Sequence, residues 1–472
     1  MDTLWSLLAL LVLCISFSKC AEESVMDLQA QLRYMAQQLQ ACEGDLPSLS
    51  AFDLKLHYLT DVNTTCNDGS PAGYYLKESP KSKRWLVYLE GGWFCYNQMS
   101  CNIRANSQMR YLMTSKNWSK TKRGSGMLSP QPEENPNWWN ANHVLIPYCS
   151  SDAWSGNASR HETGEKFSFL GARILEKVIE DLLPRGLYKA KHLLLAGSSA
   201  GGIGVILNLD RISTKLHAMG SAVEVRGLAD SGWYLSDRPF ESSCPPGIKE
   251  CGPVKTIKEG MMYWRGIVPE NCTKENLLQP WMCYFGETVY PTIRAPLFIF
   301  QWLYDEAQLA LDGSIQPRGI QTIDLKQIKT IFKIGRKIRE SLKRARVRHV
   351  FSPACISHTI LTHSSWLNIR LKGASLNDIL TSWYHTDGHE DGHGKHGHGK
   401  HGHGKRGPEN QHHWSTHQVD HCLYIQCNPT CPIPRNPFTG KPYPMKLPGH
   451  LPGIPLSRID SFMNIPSNLN RD

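Results

Sequence analysis

The chain has 472 residues, of which 40% are hydrophobic and 20% are charged. This composition excludes a wholly disordered protein and supplies enough apolar side chains for a large core. Lys and Arg outnumber Asp and Glu by 52 to 42, a formal net charge of +10. Such an excess suggests a polyanionic partner but does not indicate a fold.

The N-terminus carries an apolar run at residues 4–17. The run is too short to span a bilayer and has the length of a signal-peptide core. Ser18 and Cys20 are small residues that place a cleavage site before Ala21, and a retained signal anchor is the alternative. No later stretch reaches 18 apolar residues, and the C-terminus lacks a hydrophobic tail. We therefore expect a secreted, extracellular protein with no membrane span.

Cysteine usage agrees with secretion, because disulfides form in oxidising compartments. Without residues 1–20, 13 of the 15 cysteines remain, so one thiol is left over. Cys95 with Cys101, and Cys244 with Cys251, are close enough in sequence to close small loops. Three C-terminal cysteines resemble a zinc cluster only loosely, so we expect disulfides and no metal there: Cys422, Cys427 and Cys431. Four sequons predict glycosylated surface loops: Asn63, Asn117, Asn157 and Asn271.

The predicted elements alternate between strands and helices. Residues 24–43 have the apolar spacing of an amphipathic helix that precedes the main domain. Helical patterns follow at residues 164–183 and 202–216. Short apolar runs predict strands before, between and after them: residues 85–89, 144–148, 193–195, 223–225, 296–300 and 349–351. Runs that are apolar on both faces suit a buried parallel sheet, so we expect an α/β fold with a mostly parallel sheet flanked by helices.

Residues 322–348 form a third helical pattern with ten Lys or Arg and only two acids. A solvated helix face is one interpretation. The other is a surface for sulfated glycosaminoglycan, since sulfate resembles phosphate in charge and would be bound by releasing counterions. Five cations of this helix are the candidate glycan-binding residues: Lys333, Arg336, Lys337, Lys343 and Arg344.

A low-complexity stretch with 11 His follows at residues 385–421. Rich in Gly and nearly without core-forming residues, it is predicted to be a disordered surface insertion. Zinc or copper binding, or a pH-dependent charge, is the alternative. The predicted organisation is a signal peptide at 1–20, a helix and linker at 21–51 and the main α/β domain at 52–384. The insertion then occupies 385–421, and a Cys/Pro-rich segment occupies 422–472.

The strongest chemical signal is Gly197-x-Ser199-x-Gly201, directly after a strand and before a helix. This context is typical of a nucleophile elbow, a tight turn whose neighbours must be small. The turn exposes the serine hydroxyl at the sheet edge, near the positive end of a helix. Ser198 is the rival nucleophile, but only Ser199 fits the glycine frame.

A serine nucleophile needs an acid and a base, in the chain order Ser, Asp or Glu, His. Asp305 follows a strand at its carboxyl end and is favoured over Glu306 by position alone. His358 follows the last strand, with two other histidines, His349 and His363, as rivals. For the oxyanion hole, the backbone N–H of Ala200 and the glycine loop at residues 89–93 are the candidates.

Seven motifs together resemble the Notum carboxylesterases of the pectin acetylesterase family: residues 66–73, 89–93, 135–142, 146–151, 196–202, 230–233 and 305–308. The resemblance extends over residues 52–372. It implies an α/β-hydrolase fold and a secreted serine carboxylesterase, without cofactor, that removes palmitoleate from a serine of Wnt proteins. It also implies association with glypican or heparan sulfate rather than nucleic acid. The implied triad is Ser199, Asp305 and His358, with oxyanion donors at Gly92, Trp93 and Ala200.

The resemblance also implies an acyl pocket lined by Trp93, Phe94, Tyr234, Tyr284 and Phe285. Tyr234 and Tyr284 stand where the family pattern has Phe, so their hydroxyls either enter the pocket and disfavour long chains or point outward. The His-rich insertion and the tail after it also depart from the pattern. Two alternatives stay open: an esterase for short-chain or acetylated-polysaccharide esters, and a catalytically idle Wnt- or glycan-binding protein.

Overall fold

The computed structural model describes residues 53–236, 252–311, 325–386, 414–421 and 425–433. The predicted signal peptide, the N-terminal helix and the Cys244–Cys251 pair lie outside these ranges. None of the helices in these ranges combines the length and the hydrophobicity that a bilayer span requires.

The strands, in chain order, are β1 Leu54–Tyr58, β2 Gly73–Lys77, β3 Arg84–Leu89, β4 Thr121–Lys122, β5 Asn142–Ile146, β6 His192–Ser198, β7 Glu224–Asp230, β8 Leu297–Phe300, β9 Tyr304–Asp305, β10 His349–Ser352, β11 Ile356–Ser357, β12 Arg370–Leu371, β13 Ala374–Ser375 and β14 His417–Val419. The α-helices are α1 Gln98–Ala105, α2 Arg160–Thr163, α3 Gly171–Leu182, α4 Ala200–Ala218, α5 Pro253–Trp264, α6 Glu270–Glu275, α7 Gly286–Val289, α8 Glu306–Leu311, α9 Leu325–Arg344 and α10 Leu376–Thr386.

Ten of the described strands form one sheet in the order β14-β10-β8-β7-β6-β3-β5-β2-β1-β4. The pairs from β14 to β5 are parallel, and only the β2, β1 and β4 edge is antiparallel. Each predicted strand run falls on an observed strand, so the predicted α/β fold with a mostly parallel sheet is confirmed.

Helices cover both faces of the sheet, which explains why its strands are apolar on both sides. In β6, Leu193 and Leu195 pack into one buried cluster while Leu194 and Ala196 pack into the opposite one. Helices α3, α4 and α9 contribute to the first cluster, and α10 contributes to the second. Side chains alternate between the faces of a strand, so each face of the sheet buries its own core.

The predicted helix at residues 164–183 begins only at Gly171. Phe169 instead pairs with Ala158 in an isolated β-bridge, so the backbone before Gly171 is extended. The apolar periodicity seen in the sequence continues from this bridge into the helix, because both segments pack against the same core.

The predicted end of the His-rich insertion at residue 421 is too late. β14, His417–Val419, pairs in parallel with β10 as the edge strand of the large sheet. Backbone bonds anchor it on both sides: Val350 N–H donates to the carbonyl of Thr416 (2.8 Å), and Asp420 N–H donates to that of Ser352 (2.9 Å). The repeats of His and Gly end at residue 405, so composition averaged over the stretch hid a short strand.

Disulfides close both short and long loops within the described ranges. The predicted Cys95–Cys101 loop is present, and three further bonds are Cys66–Cys149, Cys272–Cys283 and Cys355–Cys431. Cys427 is also disulfide-bonded. The disulfides expected for the C-terminal cysteines are therefore confirmed for Cys427 and Cys431, while Cys422 lies outside the described residues. No group of metal-ligating side chains occurs within the described ranges.

Strand register brings the functional loops together. Leu89 at the end of β3 lies opposite Gly197 of β6, and Ser198 lies opposite Asp230 of β7. A second, two-stranded sheet pairs β9 with β11 and places Asp305 beside Ser357. The loops after β3, β6 and β11 therefore leave the same edge, the carboxyl ends of the parallel strands, where α/β proteins bind ligands.

Candidate active site

Ser199 lies in the turn between β6 and α4, with φ +58° and ψ −121°. A non-glycine residue in this region is strained, as a nucleophile elbow requires. The glycines around it permit close packing: a Cβ on Gly201 would lie 2.0 Å from the carbonyl oxygen of Leu89, and one on Gly197 would lie 2.5 Å from that of Gly201. The local sequence therefore forms an elbow that presses against the end of β3.

The three residues of the predicted triad form a continuous series of hydrogen bonds. The Ser199 hydroxyl lies 2.8 Å from Nε2 of His358, and Nδ1 of His358 lies 2.8 Å from Oδ2 of Asp305. Asp305 is fully buried, and its other oxygen accepts the backbone N–H groups of Ala307 (3.0 Å) and Gln308 (3.1 Å) at the start of α8. This is the geometry in which a base removes a hydroxyl proton while an acid holds its tautomer.

The rival residues lie elsewhere. The Ser198 hydroxyl is bonded to Asp230 rather than to a histidine. His349 bonds Thr416 at the sheet edge (2.8 Å), and His363 is exposed. Glu306 acts on His358 through its charge, whereas the Asp305 carboxylate accepts a hydrogen bond from the imidazole.

Burial lowers the pKa of His358, but the charge of Asp305 and its hydrogen bond outweigh burial, so that the pKa lies above the ordinary value of 6.5. Asp230 and Glu306 raise it further. Burial, with a contribution from the Asp305 charge, raises the pKa of Glu306 to about 7. The imidazole is thereby a stronger base than a free histidine, which suits proton abstraction from a serine near neutral pH.

The glycine loop after β3 passes directly beside the nucleophile. A Cβ on Gly91 would lie 2.5 Å from the carbonyl oxygen of Ser198 and 2.9 Å from Cβ of Ser199. Gly92 and Trp93 both have positive φ, +155° and +61°. Ala200 is the first residue of α4, so its backbone N–H has no acceptor within the helix. The loop that carries two of the predicted oxyanion donors, Gly92 and Trp93, therefore passes beside Ser199, and the third, Ala200, directly follows Ser199 in the chain.

Arg104 holds this loop, and nothing in the sequence indicated it. Its Nη2 donates to the carbonyl oxygen of Gly92 (2.6 Å), although Arg104 is only 5% exposed. In a trans peptide the C=O and the next N–H point in opposite directions, so this bond turns the N–H of Trp93 away from Arg104. No carboxylate forms an ion pair with Arg104 within the described ranges, and its positive charge stays close to the loop.

The five aromatic residues predicted for the acyl pocket line one cavity together with Ser199 and Ala200. Four further residues that the sequence did not single out complete its walls: Ile203, Pro253, Ile257 and Leu311. Apart from Ser199 and the two tyrosine hydroxyls, the named side chains are apolar. An apolar lining with the nucleophile in its wall is what binding of a hydrocarbon chain beside Ser199 requires.

The two unexpected tyrosines differ. The Tyr284 hydroxyl lies 2.6 Å from Oγ of Ser155, in a niche where a Cβ on Gly266 would come within 2.2 Å of it. This hydroxyl is bonded to a buried serine, so it neither enters the cavity nor points outward to water, and both alternatives are wrong for Tyr284. The Tyr234 hydroxyl instead faces Ser199, and burial, together with the charge of Asp305, raises its pKa far above the ordinary value. Of the two tyrosines, only Tyr234 therefore brings a hydroxyl to the cavity.

The family described as Pectinacetylesterase matches residues 49–432. The chain belongs to this family. The match extends past residue 372 into the tail after the His-rich insertion, so the expectation that this tail departs from the family pattern is wrong for its part up to residue 432.

Curated relatives place the chain in the Notum branch of the pectinacetylesterase family. It is 45% identical over 429 residues to "Palmitoleoyl-protein carboxylesterase NOTUM" of Homo sapiens, covering 89% of this chain and 81% of the relative. It is 44% identical over 421 residues to "Palmitoleoyl-protein carboxylesterase notum1a" of Danio rerio, covering 89% and 80%. For the NOTUM protein of Drosophila melanogaster the values are 42% over 362 residues, 75% of this chain and 51% of the relative. The family resemblance deduced from the motifs is confirmed.

Proposed function

We propose that this protein is a secreted serine carboxylesterase that removes palmitoleate from a serine of Wnt proteins and so reduces Wnt signalling. The observation that carries the proposal is the hydrogen-bonded series Ser199, His358 and Asp305 at the end of an apolar cavity. The names of the relatives, palmitoleoyl-protein carboxylesterases, support a palmitoleoylated protein as the substrate.

In the proposed mechanism His358 Nε2 takes the Ser199 proton as the hydroxyl oxygen attacks the ester carbonyl. Backbone N–H groups of Gly92, Trp93 and Ala200 stabilise the oxyanion. The ester C–O bond then breaks, and the proton on His358 passes to the departing serine alkoxide of the Wnt protein. Water, activated by the same imidazole, hydrolyses the acyl-enzyme and releases palmitoleate. These groups supply the whole acyl transfer without a cofactor.

The cavity would contribute to the reaction by holding the chain. Burying a methylene contributes roughly 0.8 kcal/mol, so activity should rise with chain length until the chain meets the cavity floor. Trp93 and Phe94 stack face to face at a centroid distance of 5.7 Å, and Phe94 meets Trp264 edge-on at 5.6 Å. Such interlocked rings give the wall a fixed shape.

The second candidate is an esterase for short-chain or polysaccharide esters, which the description of the wider family favours. The two candidates differ in chain-length dependence: a polysaccharide deacetylase should show a kcat/KM that peaks at acetyl. An idle binding protein is disfavoured, because such a protein has no need of a strained serine 2.8 Å from an imidazole.

Secretion is supported by the oxidised cysteines, since disulfides are rare in the cytosol. Asn63 and Asn117 are exposed and suit glycosylation. Asn157 is partly buried and accepts two bonds from Arg173 (2.9 and 3.1 Å), and Asn271 is also partly buried. We expect the first two sequons to be modified more fully than the last two.

We further propose that glypican or heparan sulfate binds to α9. Ile331, Ile334, Ile338 and Leu342 are buried against the sheet, which turns the basic side of the helix outward. Residues 333, 336, 337, 343 and 344 follow spacings of three, four and seven and share that side. Arg344 already donates to both oxygens of Glu287 (2.5 and 3.0 Å), which reduces the charge that it offers to a glycan.

The test is mass spectrometry of a palmitoleoylated Wnt peptide before and after incubation with the protein. Wild type and Ser198→Ala should release the acyl group, and Ser199→Ala should not. An acetylated and an octanoylated peptide of the same sequence serve as matched substrates. Release confined to the acetyl peptide would favour the polysaccharide-esterase candidate, and an intact palmitoleoyl peptide would contradict the proposal.

A further inference from the structure

Asp230 is a fully buried carboxylate at the end of β7, outside the triad. A buried carboxylate is stable only when hydrogen bonds replace its hydration. Four donors do so here: its Oδ2 accepts from Ser198, Ile360 and Leu361, and its Oδ1 accepts from Ser231. The proposed reaction does not involve Asp230. Its role therefore depends on the two segments that supply these donors, the nucleophile elbow and the loop after His358.

On one side Asp230 holds the nucleophile elbow. The Ser198 hydroxyl donates to Oδ2 (2.5 Å), and the main-chain carbonyl of Asp230 accepts the N–H of Ser199 (2.8 Å). The hydroxyl of Tyr88, from β3, lies 2.5 Å from the Ser198 hydroxyl. Ser198, the rival nucleophile, is thus part of a buried network of polar groups beneath Ser199.

On the other side Asp230 holds the loop that carries the base. The N–H groups of Ile360 (2.8 Å) and Leu361 (3.1 Å) donate to the same Oδ2. The N–H of Thr359 donates to Oγ of Ser231 (3.0 Å), which in turn donates to Oδ1 (2.8 Å). These three residues directly follow His358.

The backbone after His358 needs such support. Thr359 has φ +61°, which is strained for a β-branched residue. A conformation of this kind persists only where surrounding bonds determine it. We propose that Asp230 is a positioning residue, which fixes the histidine loop to the nucleophile elbow and so keeps Nε2 of His358 within hydrogen-bond distance of Ser199. The proposal rests on the proposed function only in that these two residues carry the reaction.

The carboxylate also acts on His358 through its charge. Three acidic groups face this imidazole, Asp305, Asp230 and Glu306, and each favours its protonated form. The protonated imidazole cannot accept the serine proton, so the rate rises as pH increases through the pKa of His358. Removing the charge of Asp230 lowers that pKa, and the acid limb of the rate profile moves to lower pH.

The test compares Asp230→Asn and Asp230→Ala by the rate of fluorophosphonate labelling and by kcat and KM for a p-nitrophenyl ester. Asn retains an acceptor and removes the charge, and Ala removes both. We expect Asp230→Ala to lose about 100-fold in kcat with little change in KM, because a small displacement of the base is enough. We expect a smaller loss for Asp230→Asn, with an acid limb at lower pH. The acid limb should also move when Asp230→Asn is introduced into the Glu306→Gln variant. This background removes Glu306, which titrates nearby, as the cause of the shift.

Asp152 provides a matched control. It is equally buried and accepts one serine hydroxyl and two backbone N–H groups, from Ser150, Trp154 and Gly171. None of these bonds joins it to the elbow or to the histidine loop, although its backbone pairs with Phe94 of the cavity in an isolated β-bridge. Asp152→Asn should change thermal stability without moving the acid limb. Hydrogen exchange of residues 359–361 should accelerate in Asp230→Ala and not in Asp152→Asn.

Wild-type kcat and an unmoved acid limb in Asp230→Asn would overturn the inference. If Asp230→Ala does not fold, the kcat and the acid limb of Asp230→Asn alone decide whether the inference holds. Because labelling and a synthetic ester report the outcome, failure to cleave a Wnt peptide would contradict the proposed function and leave this test intact.

Discussion

Asp305 at the candidate active site is fully buried, whereas the cations of α9 stand mostly in water. The Asp305 carboxylate has three fixed donors: His358, Ala307 and Gln308. Lys333, Arg336, Lys343 and Arg344 are exposed, and Arg336 is 3.9 Å from its acidic neighbour Glu340. Both regions depend on charge, but in surroundings of very different polarity.

This difference determines what one substitution can do. A buried charge acts over short distances with little screening, so its loss should change the reaction strongly and independently of salt. An exposed charge contributes little alone and is screened within about 8 Å at physiological ionic strength. The surface of α9 should therefore respond to the sum of its charges, and the active site to single atoms.

The largest expected effect is that of Asp305→Asn. An amide at this position no longer fixes the tautomer of His358, and we expect kcat to fall about 10⁴-fold. The loss should be equal at low and high salt. Glu306→Gln, one residue away, is the control and should lose less than about 10-fold, because Glu306 influences His358 by charge alone. A loss of kcat that depends on salt, or equal losses in the two variants, would contradict the proposed difference between the active site and α9.

Arg104→Met should have the next largest effect. The substitution removes the charge-assisted bond to the Gly92 carbonyl and leaves the N–H of Trp93 less well directed, so we expect kcat to fall about 10- to 100-fold. Arg104→Lys retains the charge and should recover part of the rate. Thermal unfolding of both variants separates misfolding from a local effect. A fully active, folded Arg104→Met protein would show that the glycine loop after β3 keeps its conformation without Arg104.

Tyr234→Phe and Tyr284→Phe should differ from each other. The Tyr234 hydroxyl faces the cavity, so its removal should raise kcat/KM for long-chain esters by roughly 10-fold at most, which corresponds to one buried hydroxyl. The Tyr284 hydroxyl is bonded to Ser155 outside the cavity, so Tyr284→Phe should reduce stability and leave the chain-length profile unchanged. The measurement is kcat/KM against chain length for p-nitrophenyl esters. Equal profiles for the two variants would contradict the assignment of the hydroxyls.

The smallest effect on catalysis should come from α9. A triple change of Lys333, Arg336 and Lys343 to Glu should lower the salt concentration that elutes the protein from heparin at neutral pH, with kcat unchanged. Arg344→Glu alone should shift elution least, because Glu287 already neutralises that arginine. Glu340→Gln removes the acid among the cations and should raise the elution salt. An unchanged elution in all three would assign this face to solvent.

The local parts of the site could be predicted from the sequence, and the distant parts could not. Gly197, Ser199 and Gly201 lie within five residues, and the steric need for glycine is a local rule. The bonds from Asp230 to residues 360 and 361 join positions 130 and 131 apart in the chain, and nothing near Asp230 indicates them. A family motif contains Asp230, but not its contacts.

The same distinction applies to the fold. Apolar runs gave the buried strands, because parallel strands are hydrophobic on both faces. β14 was missed because it is a short edge strand in a stretch dominated by His and Gly. Its stability comes from backbone bonds to β10, which composition does not record.

The most direct test of the central claim is to trap the acyl-enzyme. A palmitoleoyl ester is mixed with the protein and quenched in acid, and the tryptic peptide that contains both Ser198 and Ser199 is fragmented by mass spectrometry. The palmitoleoyl group should be found on Ser199, and it should be absent from that peptide in Ser199→Ala. An acyl group on Ser198, or ester hydrolysis that persists in Ser199→Ala, would contradict the account.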